Sequence, residues 1–206
     1  MSKMSKTKKD RSKLICVTGL VNKGKSTAMK IISSYGYDVF IMDEYIHKIY
    51  KKNDIGYNAI KTNFGSDYVN EQAVDRDKLR ELILNDIKYR EKLNSIMFPI
   101  MLDKLAKLKK ESKGLVFVEL GIYIYNPKYF KSIFDFIIGI NRDDEITENN
   151  PFQKIKNVIK FSTKDVENSK NIDNTKTILV DFIVDNNSSL KDFENKIKKI
   201  LEYLDK

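Results

Sequence analysis

The 206-residue sequence has no tryptophan, a single cysteine and a single histidine. One cysteine cannot form a disulfide within the chain, which fits a reducing compartment. Cys16 lies inside an apolar run, so a buried structural thiol is expected there rather than a reactive one. No stretch reaches the roughly 18 apolar residues that a membrane helix needs. The charged N-terminus is not followed by the apolar segment of a secretory signal. These absences predict a soluble, cytoplasmic protein. Internal repeats are also missing, and arginine is scarce: after Arg90 only Arg142 remains. The missing tryptophan goes with heavy use of lysine, asparagine and isoleucine, a coding bias that dilutes any argument from charge.

What is present is globular in composition. Apolar residues make up 41% and charged residues 33%, a balance that builds a core and excludes a disordered chain. The net charge of +9 invites a nucleic-acid partner, but its distribution argues against one. Residues 1–13 carry +5 of it, leaving +4 for residues 14–206. The expectation is a solvated, disordered basic arm on a mildly basic folded part suited to polyphosphates. An RNA or membrane-surface contact by the arm is the lesser reading.

Five runs rich in apolar, β-branched or aromatic residues read as buried strands: Leu14–Thr18, Asp38–Met42, Leu115–Glu119, Phe134–Ile140 and Ile178–Val184. Helical patterns alternate with them at Lys25–Tyr35, Asp75–Leu84, Ile87–Leu108 and Ser188–Leu204. The last carries an apolar stripe of Leu190, Phe193, Ile197, Ile200, Leu201 and Leu204. Alternation of this kind predicts an α/β fold with a five-stranded parallel sheet. Two insertions interrupt it. Residues 44–113, with about three helices, read as a helical substrate subdomain. Residues 143–176, polar and weakly helical, read as a lid. The core is then 14–43, 114–142 and 177–206.

Directly after the first strand, Gly19-Leu20-Val21-Asn22-Lys23-Gly24-Lys25-Ser26-Thr27 matches G-x-x-x-x-G-K-[ST] in full. Gly19 and Gly24 let the backbone fold back so that N–H groups from Asn22 to Thr27 converge on one anion. A helix starting near Lys25 aims its positive end at the same point. Lys25 bridges β- and γ-phosphates in such loops, and the Ser26 hydroxyl ligates Mg²⁺. The expected ligands are therefore ATP and Mg²⁺.

The acceptor side is less specific. Asp43 follows the second strand, where ligands of open α/β sheets bind. It reads either as the carboxylate that takes an acceptor hydroxyl proton or as a helix N-cap. His47 falls one turn later on the same face and reads equally as a surface or packing residue.

At this point the chain resembles the dephospho-CoA kinase family. The resemblance rests on the phosphate loop together with DEYIH, NAIKTNFG, VDRDKLRELIL, LNSIMFPIM and FIVDNN, in matching order and spacing. It covers residues 14–140 and the last strand. It implies a P-loop NTPase kinase core, a helical CoA-binding domain and a lid that close over ATP and dephospho-CoA. It also implies transfer of the γ-phosphoryl to the ribose 3′-hydroxyl. In the resemblance Asp43 is the acceptor-activating carboxylate, His47 stands at an Arg/His position, and Arg76 lies near the CoA moiety. For Arg76, pairing with a carboxylate on its own helix remains the alternative. Asn186 and Asn187 line the adenine pocket or merely turn the chain into the last helix.

Four departures accompany the match. Ile41-Met42-Asp43 keeps one carboxylate where the family has two. Phe98-Pro99 replaces His-Pro. The segment after the third strand reads Glu119-Leu120-Gly121, with Glu119 standing in for an aspartate that reaches Mg²⁺ through water. The lid has little arginine, so its positive charge falls to Arg142, Lys154, Lys156 and Lys160, which read equally as a solvated face. Another small-metabolite or nucleoside kinase, or a nucleotide binder with weak or no kinase activity, are the alternative readings. The sequence says nothing of oligomeric state.

Overall fold

The computed structural model describes residues 12–142 and 180–206. The basic arm, apart from Ser12 and Lys13, and the expected lid with Lys154, Lys156 and Lys160 lie outside the described residues. The chain divides into two compact units, Met1–Phe40 with Ser112–Lys206, and Ile41–Glu111.

The first unit is built on a parallel sheet of five strands: β1 (Lys13–Thr18), β2 (Asp38–Ile41), β3 (Leu115–Glu119), β4 (Phe136–Asn141) and β5 (Phe182–Asp185). Their order is β2-β3-β1-β4-β5. Connections from β1 run to one side and those from β4 to the other, so the carboxyl end of β1 opens on a switch point. Central strands β1 and β4 are sealed on both faces: Leu14, Ile15, Cys16 and Val17 are fully buried, as expected of parallel strands between helical layers. Burial pushes the Cys16 thiol pKa well up, which keeps it protonated. Helices α1 (Lys25–Ser34) and α7 (Leu190–Leu204) lie side by side, with Ala28, Ile32, Phe193, Ile197 and Leu201 buried.

Several boundaries and burials differ from the sequence expectation, each for a local reason. β2 was expected to be buried, but Asp38 and Val39 are exposed because the strand is at the sheet edge. Met42 does not extend β2; it opens α2 (Met42–Ile49). β4 begins two residues into its apolar run, and Val180 and Asp181 precede β5, while Ile178 and Leu179 lie outside the described residues. Asp135 Oδ2 accepts from the Leu14 N–H (2.8 Å), and Asp181 Oδ2 accepts from the Ile137 N–H (2.8 Å). A carboxylate thus takes the first rung of each ladder, and regular pairing starts at the phenylalanine that follows. In the α7 stripe, Leu190 is exposed, since it occupies the first turn just after the Ser189 cap.

The second unit holds four α-helices rather than about three: α2, α3 (Ile55–Phe64), α4 (Arg76–Asn85) and α5 (Ile87–Glu111). Asp54 caps α3 by accepting from Ile55 N, and Asp75 caps α4 by accepting from Lys78 N. Ile49, Tyr50, Tyr57, Ile60, Val74, Leu79 and Met97 form its core. Phe98, on α5, is buried, which suits an apolar side chain at that position. The chain leading into α4 is tied to the end of α2: Val74 N–H donates to the Tyr50 carbonyl (2.9 Å) and Lys52 N–H to the Gln72 carbonyl (2.8 Å). A short helix, α6 (Pro127–Phe130), completes the set in the first unit.

Candidate active site

The glycine–lysine loop joins the carboxyl end of β1 to the first turn of α1. Its backbone leaves the ordinary regions at three points, with φ of 153° at Gly19, 63° at Asn22 and 105° at Gly24. Two glycines are there for space as well as torsion. A Cβ at Gly19 would stand 2.4 Å from the Ile140 carbonyl oxygen, and one at Gly24 would stand 2.4 Å from Asn186 Nδ2. No side chain caps α1. The N–H groups of its first turn are therefore left for an anion, with the helix dipole behind them. Ser26 and Thr27 are exposed there, their hydroxyls at the surface of the turn.

The Lys25 ammonium donates to the Leu20 carbonyl (2.9 Å), which folds its side chain back over the loop it serves. Gly121 lies beside this side chain; a Cβ added there would meet Lys25 Cε at 3.7 Å. Buried Thr18 ties the loop base to β3 by donating its hydroxyl to the Leu120 carbonyl (2.9 Å). Glu119 is in register with Val17, so this carboxylate ends β3 next to the start of the loop. Asn186 follows β5. Its backbone N–H donates to Asn141 (2.8 Å), the residue before exposed Arg142, and its side-chain amide donates to the Lys23 carbonyl (3.1 Å). The first unit therefore gathers Gly19, Asn22, Lys23, Gly24, Lys25, Ser26, Thr27, Glu119 and Asn186 at one end of the sheet, with Arg142 following β4 there.

Asp43, His47 and Arg76 belong to the helical unit. Asp43 and His47 are exposed on α2, four residues apart and so one turn from each other on one face. Ile41 is the N-cap of α2, so Asp43 is not. Among the described residues Asp43 makes no hydrogen bond or ion pair. Exposed Arg76 opens α4 and is likewise unpaired among the described residues.

The sequence reading missed three things. The Asn186 contact to Lys23 spans 163 residues and has no local signature. The Thr18–Leu120 bond depends on strand order. Tyr50 and Arg80 border a cavity with Arg76, and only the i, i+4 spacing of the two arginines hints at it.

A phosphate loop at the switch point of a parallel sheet, with a helical unit inserted after the second strand, is the arrangement of the P-loop kinases; fold and loop assign the chain to that class. A family model described as dephospho-CoA kinase matches residues 13–192, and the chain belongs to the dephospho-CoA kinase family. It is 30% identical over 177 residues to a dephospho-CoA kinase of Mycoplasma genitalium, covering 82% of this chain and 89% of the relative. It is 28% identical over 191 residues to that of Lactobacillus acidophilus, covering 91% and 95%. Among solved structures, the fold is similar to the dephospho-CoA kinase from Campylobacter jejuni. There the TM-score is 0.59 at 21% identity, covering 94% of this chain and 98% of that one.

Proposed function

We propose that the protein transfers the terminal phosphoryl group of ATP to the ribose 3′-hydroxyl of dephospho-CoA, giving coenzyme A and ADP. Membership of the family across residues 13–192, with the phosphate loop complete within that span, carries this reading. The loop N–H groups and Lys25 hold the β- and γ-phosphates. Asp43 accepts the proton of the 3′-hydroxyl as its oxygen bonds to the γ-phosphorus and the bond to the β,γ-bridging oxygen breaks. His47 and Arg76 orient the acceptor. Arg142 and the lysines Lys154, Lys156 and Lys160 supply positive charge around the transferring group. Asn186 acts through the Lys23 carbonyl by holding the loop.

The donor set fits Mg²⁺. This ion keeps several waters and needs few protein ligands beyond substrate phosphate, and the exposed Ser26 hydroxyl with Glu119 near the loop start offers that much. When bound, the ion neutralises charge on the β- and γ-oxygens.

The test is ADP release by purified protein with ATP and Mg²⁺, with and without dephospho-CoA, and coenzyme A identified by mass. Acceptor-dependent ADP and the 3′-phosphorylated product are expected. ATP binding without acceptor-dependent ADP would instead support a non-catalytic nucleotide binder, the reading favoured by the scarcity of arginine after Arg90. Turnover with nucleosides but not with dephospho-CoA would point to a nucleoside kinase.

A further inference from the structure

The helical unit contains a cavity of about 330 Å³, inside the size range of small-ligand sites. Leu79, Ile83 and Leu93 supply its apolar lining, and Tyr50, Arg76, Asp77 and Arg80 its polar groups. Arg76 and Arg80 are one helical turn apart on α4, a spacing at which like charges repel. Neither guanidinium is paired among the described residues, with Asp77 or with anything else. Both are exposed and solvated, so their mutual repulsion is small, and an anion placed between them would remove it.

Tyr50 adds an independent observation. The residue is 7% exposed, and its hydroxyl makes no hydrogen bond among the described residues. The side-chain oxygen sealed from solvent without a partner is Ser12 Oγ, not that of Tyr50. The phenol oxygen is therefore not sealed from solvent, and the residue borders the cavity. Burial pushes the Tyr50 pKa up to about 12, against the opposing pull of the Arg76 charge. That pull registers Arg76 as a close neighbour, and the raised value keeps the hydroxyl a proton donor. The Val74–Tyr50 backbone bond holds this wall of the cavity to the entry of α4.

We propose that this cavity is the subsite for the diphosphate of the acceptor, with Arg76 and Arg80 on its oxygens and the Tyr50 hydroxyl donating a third hydrogen bond. The proposal rests on the dephospho-CoA reading above and deepens it. Guanidinium forks match phosphate oxygens in pairs, and two of them suit a diphosphate diester that bears two negative charges. Asp77 subtracts one charge from the rim, which disfavours ligands held by charge alone and leaves the geometry of the forks to select.

The test is calorimetric titration of the full chain with dephospho-CoA, and with adenosine and pantetheine as probes lacking the diphosphate. Tyr50→Phe and Arg80→Met are compared with Arg90→Met, a surface charge control on the same unit. Dephospho-CoA affinity should fall about 3–10-fold for Tyr50→Phe and at least 10-fold for Arg80→Met, but less than twofold for the control. Affinity for the two diphosphate-free probes should stay within twofold in all variants, as should the KM for ATP. Unchanged dephospho-CoA affinity in both cavity variants of an active enzyme overturns the subsite alone. If the wild type releases no acceptor-dependent ADP, yet loses dephospho-CoA binding in these variants, the kinase reading falls and the subsite stands. A wild type that does not bind dephospho-CoA overturns both.

Discussion

The side-chain amide of Asn186 donates to the backbone carbonyl of Lys23 at 3.1 Å, so the residue after the last strand holds the middle of the phosphate loop. The same amide occupies the space that a Cβ on Gly24 would need. The loop is therefore braced from outside, by a group that arrives only once β5 has been added next to β4.

Removing that brace should loosen the nucleotide site alone. Asn186→Ala gives up one hydrogen bond, worth about 0.5–1.5 kcal/mol. The KM for ATP should rise about 3–10-fold, with the KM for dephospho-CoA unchanged. Gly24→Ala should cost more, because the alanine meets the amide and must also hold φ at 105°. The double variant Gly24→Ala/Asn186→Ala removes the clash but not the torsional strain, so steady-state kinetics should show partial recovery over Gly24→Ala.

Lys25→Met should lower kcat about 10²–10³-fold, the usual cost of losing a charge aimed at the transferring phosphate. Its ammonium donates to the Leu20 carbonyl, a contact made within the loop itself. The melting temperature without nucleotide should therefore stay within about 2 °C, while the stabilisation conferred by ATP shrinks.

Asp43→Asn should reduce kcat about 10²–10⁴-fold in the ADP-release assay with little change in either KM. Because Asp43 is exposed and makes no bond among the described residues, denaturant unfolding should shift by no more than about 0.5 kcal/mol. A variant that unfolds readily would mean the carboxylate is structural.

The raised pKa of Tyr50 has a consequence for alkaline stability. Its pKa is about 12 in the folded chain, against 10 for an ordinary tyrosine. The folded state thus keeps a proton that the unfolded chain loses first. The associated stability is complete below about pH 10 and is lost as pH climbs towards 12. Tyr50→Phe should flatten the fall of unfolding free energy over that window by about one proton, roughly 1.4 kcal/mol per pH unit.

On α7 the two ends of one stripe should respond differently. Leu201 is 2% exposed and Leu190 is 64% exposed. Leu201→Ala should cost about 2–5 kcal/mol in chemical denaturation, through lost burial and a cavity. Leu190→Ala should stay within about 0.5 kcal/mol.

Local pattern made much of this protein legible. The loop from Gly19 to Thr27 could be read outright, since each residue serves a short-range need: a turn, a free N–H, a charge, a hydroxyl. β3 was bounded to the residue, because an apolar run between polar neighbours marks a buried central strand. At β4 and β5 the strand start is set instead by a partner from elsewhere. Asp135 and Asp181 shorten two strands by spending carboxylates on backbone N–H groups of β1 and β4.

The sequence by itself determined the class of fold, the phosphate loop and the family, because periodicity and contiguous motifs are properties of neighbours along the chain. The tertiary structure decided which strand is an edge, which asparagine braces the loop, and that Tyr50 meets Arg76 and Arg80 around a cavity. These depend on groups brought together across tens to hundreds of residues. Burial, hydrogen-bond partnership and shifted acidity exist only after the chain has closed on itself.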